Sequence, residues 1–274
     1  MRRAQFRALF AGVLVAGVSA ATVYANHSWG GYHWARTSNP FTLKTGDNVT
    51  GQWDDYLDEA ITDWNQAAEL NLVKVAGGAN PKNCRPTVGQ IEVCNSRYGQ
   101  NGWLGIAQIW VTGGTHITQG VTKLNDSYFN LATYNTPAWR RLVTCQEIAH
   151  DFGLDHQDET FNNQNLGSCM DYTNDPDGGG FYGPSNEHPN RHDFEQITSI
   201  YAHLDGTSTV AAALPDGAPA AMTQIDLDGP GQWGRLVSSS KNGRSQTYEL
   251  DFGRGHKVIT HVFWADPDRD QHHH

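Results

Sequence analysis

One stretch constrains this chain more than any other. Thr136-Pro137 opens a helix, Gly153 closes it, and Gln146, Glu147, His150 and His156 stand within and just beyond it. Thr136 is a good N-cap. Pro137 suits the first helical position, where its missing N–H would be unpaired in any case. Ala138, Leu142, Cys145, Ala149 and Phe152 recur at helical steps and form one apolar stripe. On such a helix Gln146 and His150 share a face, and Glu147 projects from the neighbouring arc. Gly153 can turn the chain left-handed, which lets His156 fold back toward His150. Two imidazoles and a carboxylate meeting at one point is the arrangement a hydrolytic zinc requires: the metal acidifies a water and the carboxylate takes its proton. The spacing Glu-x-x-His-x-x-Gly-x-x-His arises by chance in roughly one chain in several hundred of this composition.

The rest of the sequence sets the setting for that chemistry. The chain has 274 residues, enough for one large domain or one domain and a small module. Its 9 Trp, 10 Tyr and 10 Phe exclude a chain that stays unfolded. Arg2, Arg3 and Arg7 precede an unbroken run of apolar and small residues from Ala8 to Val23, and Ala25 follows. This pattern predicts a secretory signal peptide over 1–25 and a secreted, extracellular mature protein with no membrane span. Formal charge is −10, and removing those three arginines leaves 16 basic residues against 29 acidic. Such a surface has no electrostatic reason to bind nucleic acid or an anionic membrane.

Four cysteines lie beyond the leader, an even number that suits two disulfides in an exported chain. Cys84 and Cys94 bracket a short loop and pair most simply with each other, which leaves Cys145 with Cys169. No close Cys-x-x-Cys pair speaks for thiolate zinc ligands.

Periodicity predicts a helix from Trp53 to Ala68 and another from Asn190 to His203. Strands are expected at Phe41–Thr50, Leu70–Val75, Ile91–Cys94, Trp103–Val111 and His116–Leu124. Leu154 to Tyr182 reads as loop. From Gly206 to Met222, Ala, Gly, Pro, Ser and Thr dominate, which reads as a linker. Three strands then follow at Gly234–Ser239, Ser245–Phe252 and His256–Trp264, the first pair separated by the hairpin signal Asn242-Gly243. This yields a signal peptide over 1–25, a catalytic domain over 26–205, a linker over 206–222 and a small β tail over 223–274, which is too small to be secure alone and is expected to pack on the main domain. Asp126 and the Asn174–Gly178 stretch carry oxygen ligands of the kind calcium takes, in no recognised loop spacing. His272 to His274 read as a tail or tag remnant.

Glu147, His150, Gly153 and His156 match the metzincin zinc-protease signature His-Glu-x-x-His-x-x-Gly-x-x-His at every position but the first. Ser168-Cys169-Met170-Asp171-Tyr172, beginning 12 residues after His156, resembles the Met-turn of the same family. The resemblance spans about Phe41 to Asp205. It implies an α/β fold with a twisted, mostly parallel sheet, three helices and a cleft. It implies a zinc-dependent endopeptidase acting on peptide or protein substrates as a monomer. Glu147 would be general base, His150 and His156 zinc ligands, Met170 the residue beneath the metal, and Tyr172 a stabiliser of the transition state. It also implies that Leu104–Gln108 is an edge strand to which an extended substrate pairs, an ordinary central core strand being the alternative reading of the same residues.

Gln146 stands where the family has its first zinc histidine, and an amide oxygen is a poorer zinc ligand than imidazole. Three arrangements follow. Gln146 ligates through its oxygen; or Tyr172 or one of His188 and His192 takes its place; or the site is silent and the protein binds peptides without cutting them. A glycan binder using the Trp-bearing tail is a further alternative.

Overall fold

The computed structural model describes residues 27–179, 183–211, 218–225 and 227–266. The signal-peptide reading, part of the 206–222 segment and the terminal histidines therefore lie outside the described residues. The chain begins with β1 (His33–Trp34) and β2 (Phe41–Asn48), followed by α1 (Trp53–Trp64), β3 (Leu70–Ala76) and β4 (Gln90–Ser96). Then come β5 (Trp103–Thr112), β6 (His116–Asn125), the short α2 (Asp126–Phe129), α3 (Pro137–His150) and α4 (Arg191–Ile200). A short α5 (Ala220–Gln224) precedes β7 (Arg235–Ser239), β8 (Ser245–Gly253) and β9 (His256–Trp264).

The fold is mixed α/β. One sheet runs β3-β2-β4-β6-β5-β9-β8-β7, and β1 adds a short second pairing to β6. Pairings among β1, β2, β3, β4 and β6 are parallel, as expected for the first part of the chain. β5 and the three tail strands are antiparallel.

α3 and α4 start where side chains close their first turns. The Thr136 side chain accepts from the Trp139 N–H, and Pro137 occupies the first turn of α3. Asn190 and Asp193 make a reciprocal capping box at the start of α4. α1 lies against α3, where the Trp64 indole donates to the Cys145 carbonyl at 3.1 Å. α3 is buried nearly all round, since it sits between the sheet and α1. Gly105 permits this: a Cβ there would stand 2.5 Å from Val143 Cγ1 and 2.8 Å from Glu147 Cγ. Glu147 is thereby laid directly on β5.

The tail does not stand apart from the main sheet. β9 pairs with β5 from Trp103↔Trp264 to Val111↔Lys257. Leu104–Gln108, expected to be an open edge, is therefore an interior strand, bonded by β6 on one side and β9 on the other. The driving force is apolar. Trp103, Ile106 and Trp110 pack with Val258, Val262, Met222, Leu227 and Trp233 in a second core on the sheet face away from α3. Nor do the described parts of 206–222 hang free. The Thr209 and Ala211 N–H groups donate to the Ala35 and Gly89 carbonyls, and Met222 is buried.

Both expected disulfides are present, Cys84–Cys94 and Cys145–Cys169. The second ties α3 to the turn at Ser168–Asp171 across a sequence separation of 24. Removing it by Cys145→Ser with Cys169→Ser is expected to cost about 3 kcal/mol, mainly through the larger freedom of the unfolded chain. Urea unfolding checks this, with a steeper slope expected because the freed unfolded chain exposes more surface.

Candidate metal centre

His150 ends α3, and the chain turns at once. Gly153 adopts φ +98°, and a Cβ there would lie 2.1 Å from the Tyr32 carbonyl oxygen, so no other residue fits. The turn sets the Leu154 carbonyl 2.7 Å from His150 Nδ1, which therefore donates to it. It also returns His156, whose Nδ1 lies 3.1 Å from Glu159 Oε1. The free Nε2 atoms of His150 and His156 face one another at 3.0 Å.

The third member comes from the far end of the chain. His261, on β9, points to the α3 side of the sheet, in alternation with Val258 and Val262, which pack on the other side. Its ring centroid lies 4.2 Å from that of His150 and 4.6 Å from that of His156. One ring nitrogen from each of His150, His156 and His261 falls within 4.8 Å of the others. His261 Nδ1 is 3.2 Å from Glu147 Oε2, and its Nε2 is 3.0 Å from the Tyr172 hydroxyl.

Of the residues expected at the site, Glu147, His150, His156 and Tyr172 are brought together, and Met170 is fully buried in the neighbouring turn. Gln146 is also fully buried; its Nε2 donates to the Cys169 carbonyl at 2.8 Å, and its Oε1 has no partner. His188 is elsewhere, with Nδ1 2.7 Å from Asp63 on α1. His192 packs edge-on against His27 at 4.9 Å. Asp126 is occupied as an acceptor from the Trp53 indole and the Asn95 amide.

Sequence reasoning missed His261. A signal was present: an imidazole in the middle of Val-Ile-Thr-His-Val-Phe-Trp, where a strand face would otherwise be apolar. Glu147, His150 and His156, which it joins, are more than 100 residues earlier, so no local spacing marks it.

The electrostatics suit a cation. Burial raises the Glu147 carboxyl well above its usual range, and Glu147 Oε1 has no hydrogen-bond partner. Burial, reinforced by His261 and His156, lowers His150 well below its usual value, and burial lowers His261 likewise. The His150 and His261 rings are therefore held neutral, the form that ligates metals. Burial pushes Glu159 upward, but the hydrogen bond and charge of His156 win and bring it down to about 2. Glu159 is thus a carboxylate that fixes the His156 tautomer. An outer carboxylate on one histidine and a backbone carbonyl on another orient both lone pairs inward, as metal-binding histidines require. Two lone pairs 3.0 Å apart repel unless a proton or cation lies between them, and the donor set suits zinc.

An open cleft of about 530 Å³ reaches this group at His156 and is lined also by Trp29, Tyr32, Glu159, Thr247 and Ile259.

No family model matches the chain, and no curated protein matches it. Among solved structures, it is similar to high choriolytic enzyme 1, a hatching enzyme zinc-protease from the medaka Oryzias latipes. That match has 14% identity over 62% of this chain and 94% of the other, with a TM-score of 0.33. It is also similar to myroilysin, at 12% identity over 62% of this chain and 96% of that one, TM-score 0.33. Likenesses of this size assign neither family nor activity.

Proposed function

We propose that this chain is an exported, metzincin-like zinc endopeptidase whose third imidazole ligand is His261 rather than a residue at position 146. The observation that carries the reading is the convergence of His150, His156 and His261 beside the buried carboxylate of Glu147. When bound, zinc supplies Lewis-acid polarisation of a water and of the scissile carbonyl. Glu147 takes the proton of the attacking water and gives it to the leaving amine, a role that its burial and raised proton affinity favour. Glu159 and the Leu154 carbonyl hold the two helix-end histidines in one tautomer. The Tyr172 hydroxyl, against His261, is placed to donate a hydrogen bond toward developing negative charge. The cleft at His156 is the route by which a peptide reaches the site.

Gln146 has a structural part in this reading: it joins α3 to the turn that carries Met170. Gln146→Ala leaves the Cys169 carbonyl without its buried donor and is expected to lower stability by about 1–3 kcal/mol. Zinc affinity should change less than threefold. Denaturant unfolding and competitive chelation check the two parts separately.

A second reading has its own observation. Glu147 and His150 have no solvent exposure, and both edges of β5 are occupied. A closed site of this kind suits a secreted protein that keeps the fold and binds peptides without cutting them. Casein hydrolysis by the full chain separates the two. The endopeptidase reading expects cleavage that a chelator abolishes and zinc restores. Zinc bound at the site without cleavage would favour the silent protein.

A further inference from the structure

A second group of metal-type ligands lies away from the first, and no step proposed above uses it. It surrounds Asp205, just past the end of α4. Asp205 Oδ2 is committed: it accepts from the Arg36 backbone N–H at 3.1 Å and from Arg36 Nη1 at 2.9 Å. Oδ1 points the other way, into three imidazoles. His33 Nε2 lies 3.4 Å from it, His116 Nε2 3.4 Å and His203 Nε2 3.6 Å. His33 and His203 meet each other through their Nε2 atoms at 3.2 Å.

These separations are informative. They are long for charge-assisted hydrogen bonds, which close to about 2.7–2.9 Å. They match the spacing of ligand atoms around a tetrahedral zinc, about 3.3–3.4 Å for bonds of about 2.0–2.1 Å. The outer contacts are also in place. His33 Nδ1 lies 2.9 Å from the Gly31 carbonyl, which fixes Nε2 as the lone-pair nitrogen. The buried Arg36 guanidinium holds the carboxylate from behind and also donates to the Tyr201 carbonyl at 2.8 Å, so Oδ1 is aimed rather than free.

We propose that His33, His203 and Asp205, whose ligand atoms all lie within 4.8 Å of one another, form a second zinc-class metal site, with His116 beside Asp205 at its rim, that fastens the N-terminal segment to the end of α4. Two imidazoles and one carboxylate, with a third imidazole at the rim, suit zinc and its borderline neighbours rather than calcium or magnesium, which want oxygen. Its position gives it a consequence. The same N-terminal segment carries Trp29, whose ring packs 5.3 Å from that of His150, and Ser28, which bridges to Leu154. A metal at Asp205 holds the segment that walls the first site while contributing no ligand to it.

The test is metal stoichiometry of the full chain equilibrated with zinc, read beside thermal unfolding. The wild type should hold two equivalents. His203→Gln with His116→Gln should hold one and keep its peptide-hydrolysing ability, if the wild type has any. His261→Ala should also keep one equivalent, so the second site is counted even if the first reading fails. Added zinc should raise the Tm of His261→Ala by about 5 °C or more at a hundredfold excess over Kd, and that rise should vanish when His203→Gln and His116→Gln are added. His203→Gln alone, at a side chain that is 54% exposed, serves where the double variant does not fold. Equal zinc content in wild type and in the His203 variants, or a zinc-dependent Tm rise that survives their introduction, would overturn the proposal.

Discussion

Glu147→Ala should abolish peptide hydrolysis by about 10²–10⁴-fold, the range supplied by a positioned proton-transfer group, while the zinc content of the protein stays unchanged. Both halves come from geometry. Glu147 follows Gln146 on α3, and its side chain is laid across β5 where Gly105 leaves room. Its Oε2 contacts His261 Nδ1, and its Oε1 has no protein partner. A carboxylate buried this way costs stability unless a cation is near. Removing it should therefore leave the protein at least as stable in the absence of metal. Steady-state hydrolysis of casein, metal analysis and a thermal melt of the chelated protein report the three effects. Unchanged hydrolysis would remove Glu147 from the mechanism.

His261→Ala should weaken zinc at the first site by more than about 100-fold, beyond the 10–100-fold typical of losing an outer partner, and hydrolysis should fall with it. The variant removes one of three imidazoles and also leaves the Tyr172 hydroxyl without its 3.0 Å partner. Loss of metal alone does not prove ligation, so a second substitution gives the test its direction. Gln146 sits one helical turn before His150, on the same face. Gln146→His in the His261→Ala background offers an imidazole from α3 in place of the one lost from β9. Zinc affinity should recover by at least about tenfold relative to His261→Ala, on the scale by which single contacts tune metal sites. Failure of the double variant to recover, with folding intact, would show that His261 acts through the architecture of β9 rather than through its ring.

The sequence made α3 and its glycine turn readable because their signals are local. Thr136, Pro137 and Gly153 mark the ends, and Glu147, His150 and His156 sit at spacings that a helix and a glycine turn convert directly into convergence. The disulfides were legible for a similar reason: Cys84 and Cys94 are 10 residues apart, and once they pair only one partner remains for Cys145. The role of the tail was not legible. β7, β8 and β9 read as a small hairpin module packing on the main domain, because Asn242-Gly243 is a strong local turn and 206–222 has a linker's composition; that β9 continues the main sheet was not legible. What joins β9 to β5 is the match of two apolar strand faces about 150 residues apart, with Trp103, Ile106 and Trp110 meeting Val258 and Val262. Pairing of that kind has no local spacing to announce it. The same long-range register opposes His261 to Ala107 and so delivers the imidazole to the site. Asp205 and its three histidines are hidden likewise, since their positions run from 33 to 205.

Crystals of the zinc-loaded full chain, with anomalous differences measured on either side of the zinc absorption edge, test the central claim most directly. A peak should stand about 2.0–2.1 Å from one ring nitrogen of each of His150, His156 and His261, with Glu147 close by but outside bonding distance. A peak bonded to Gln146 with His261 turned away, or no peak between His150 and His156, would contradict the account.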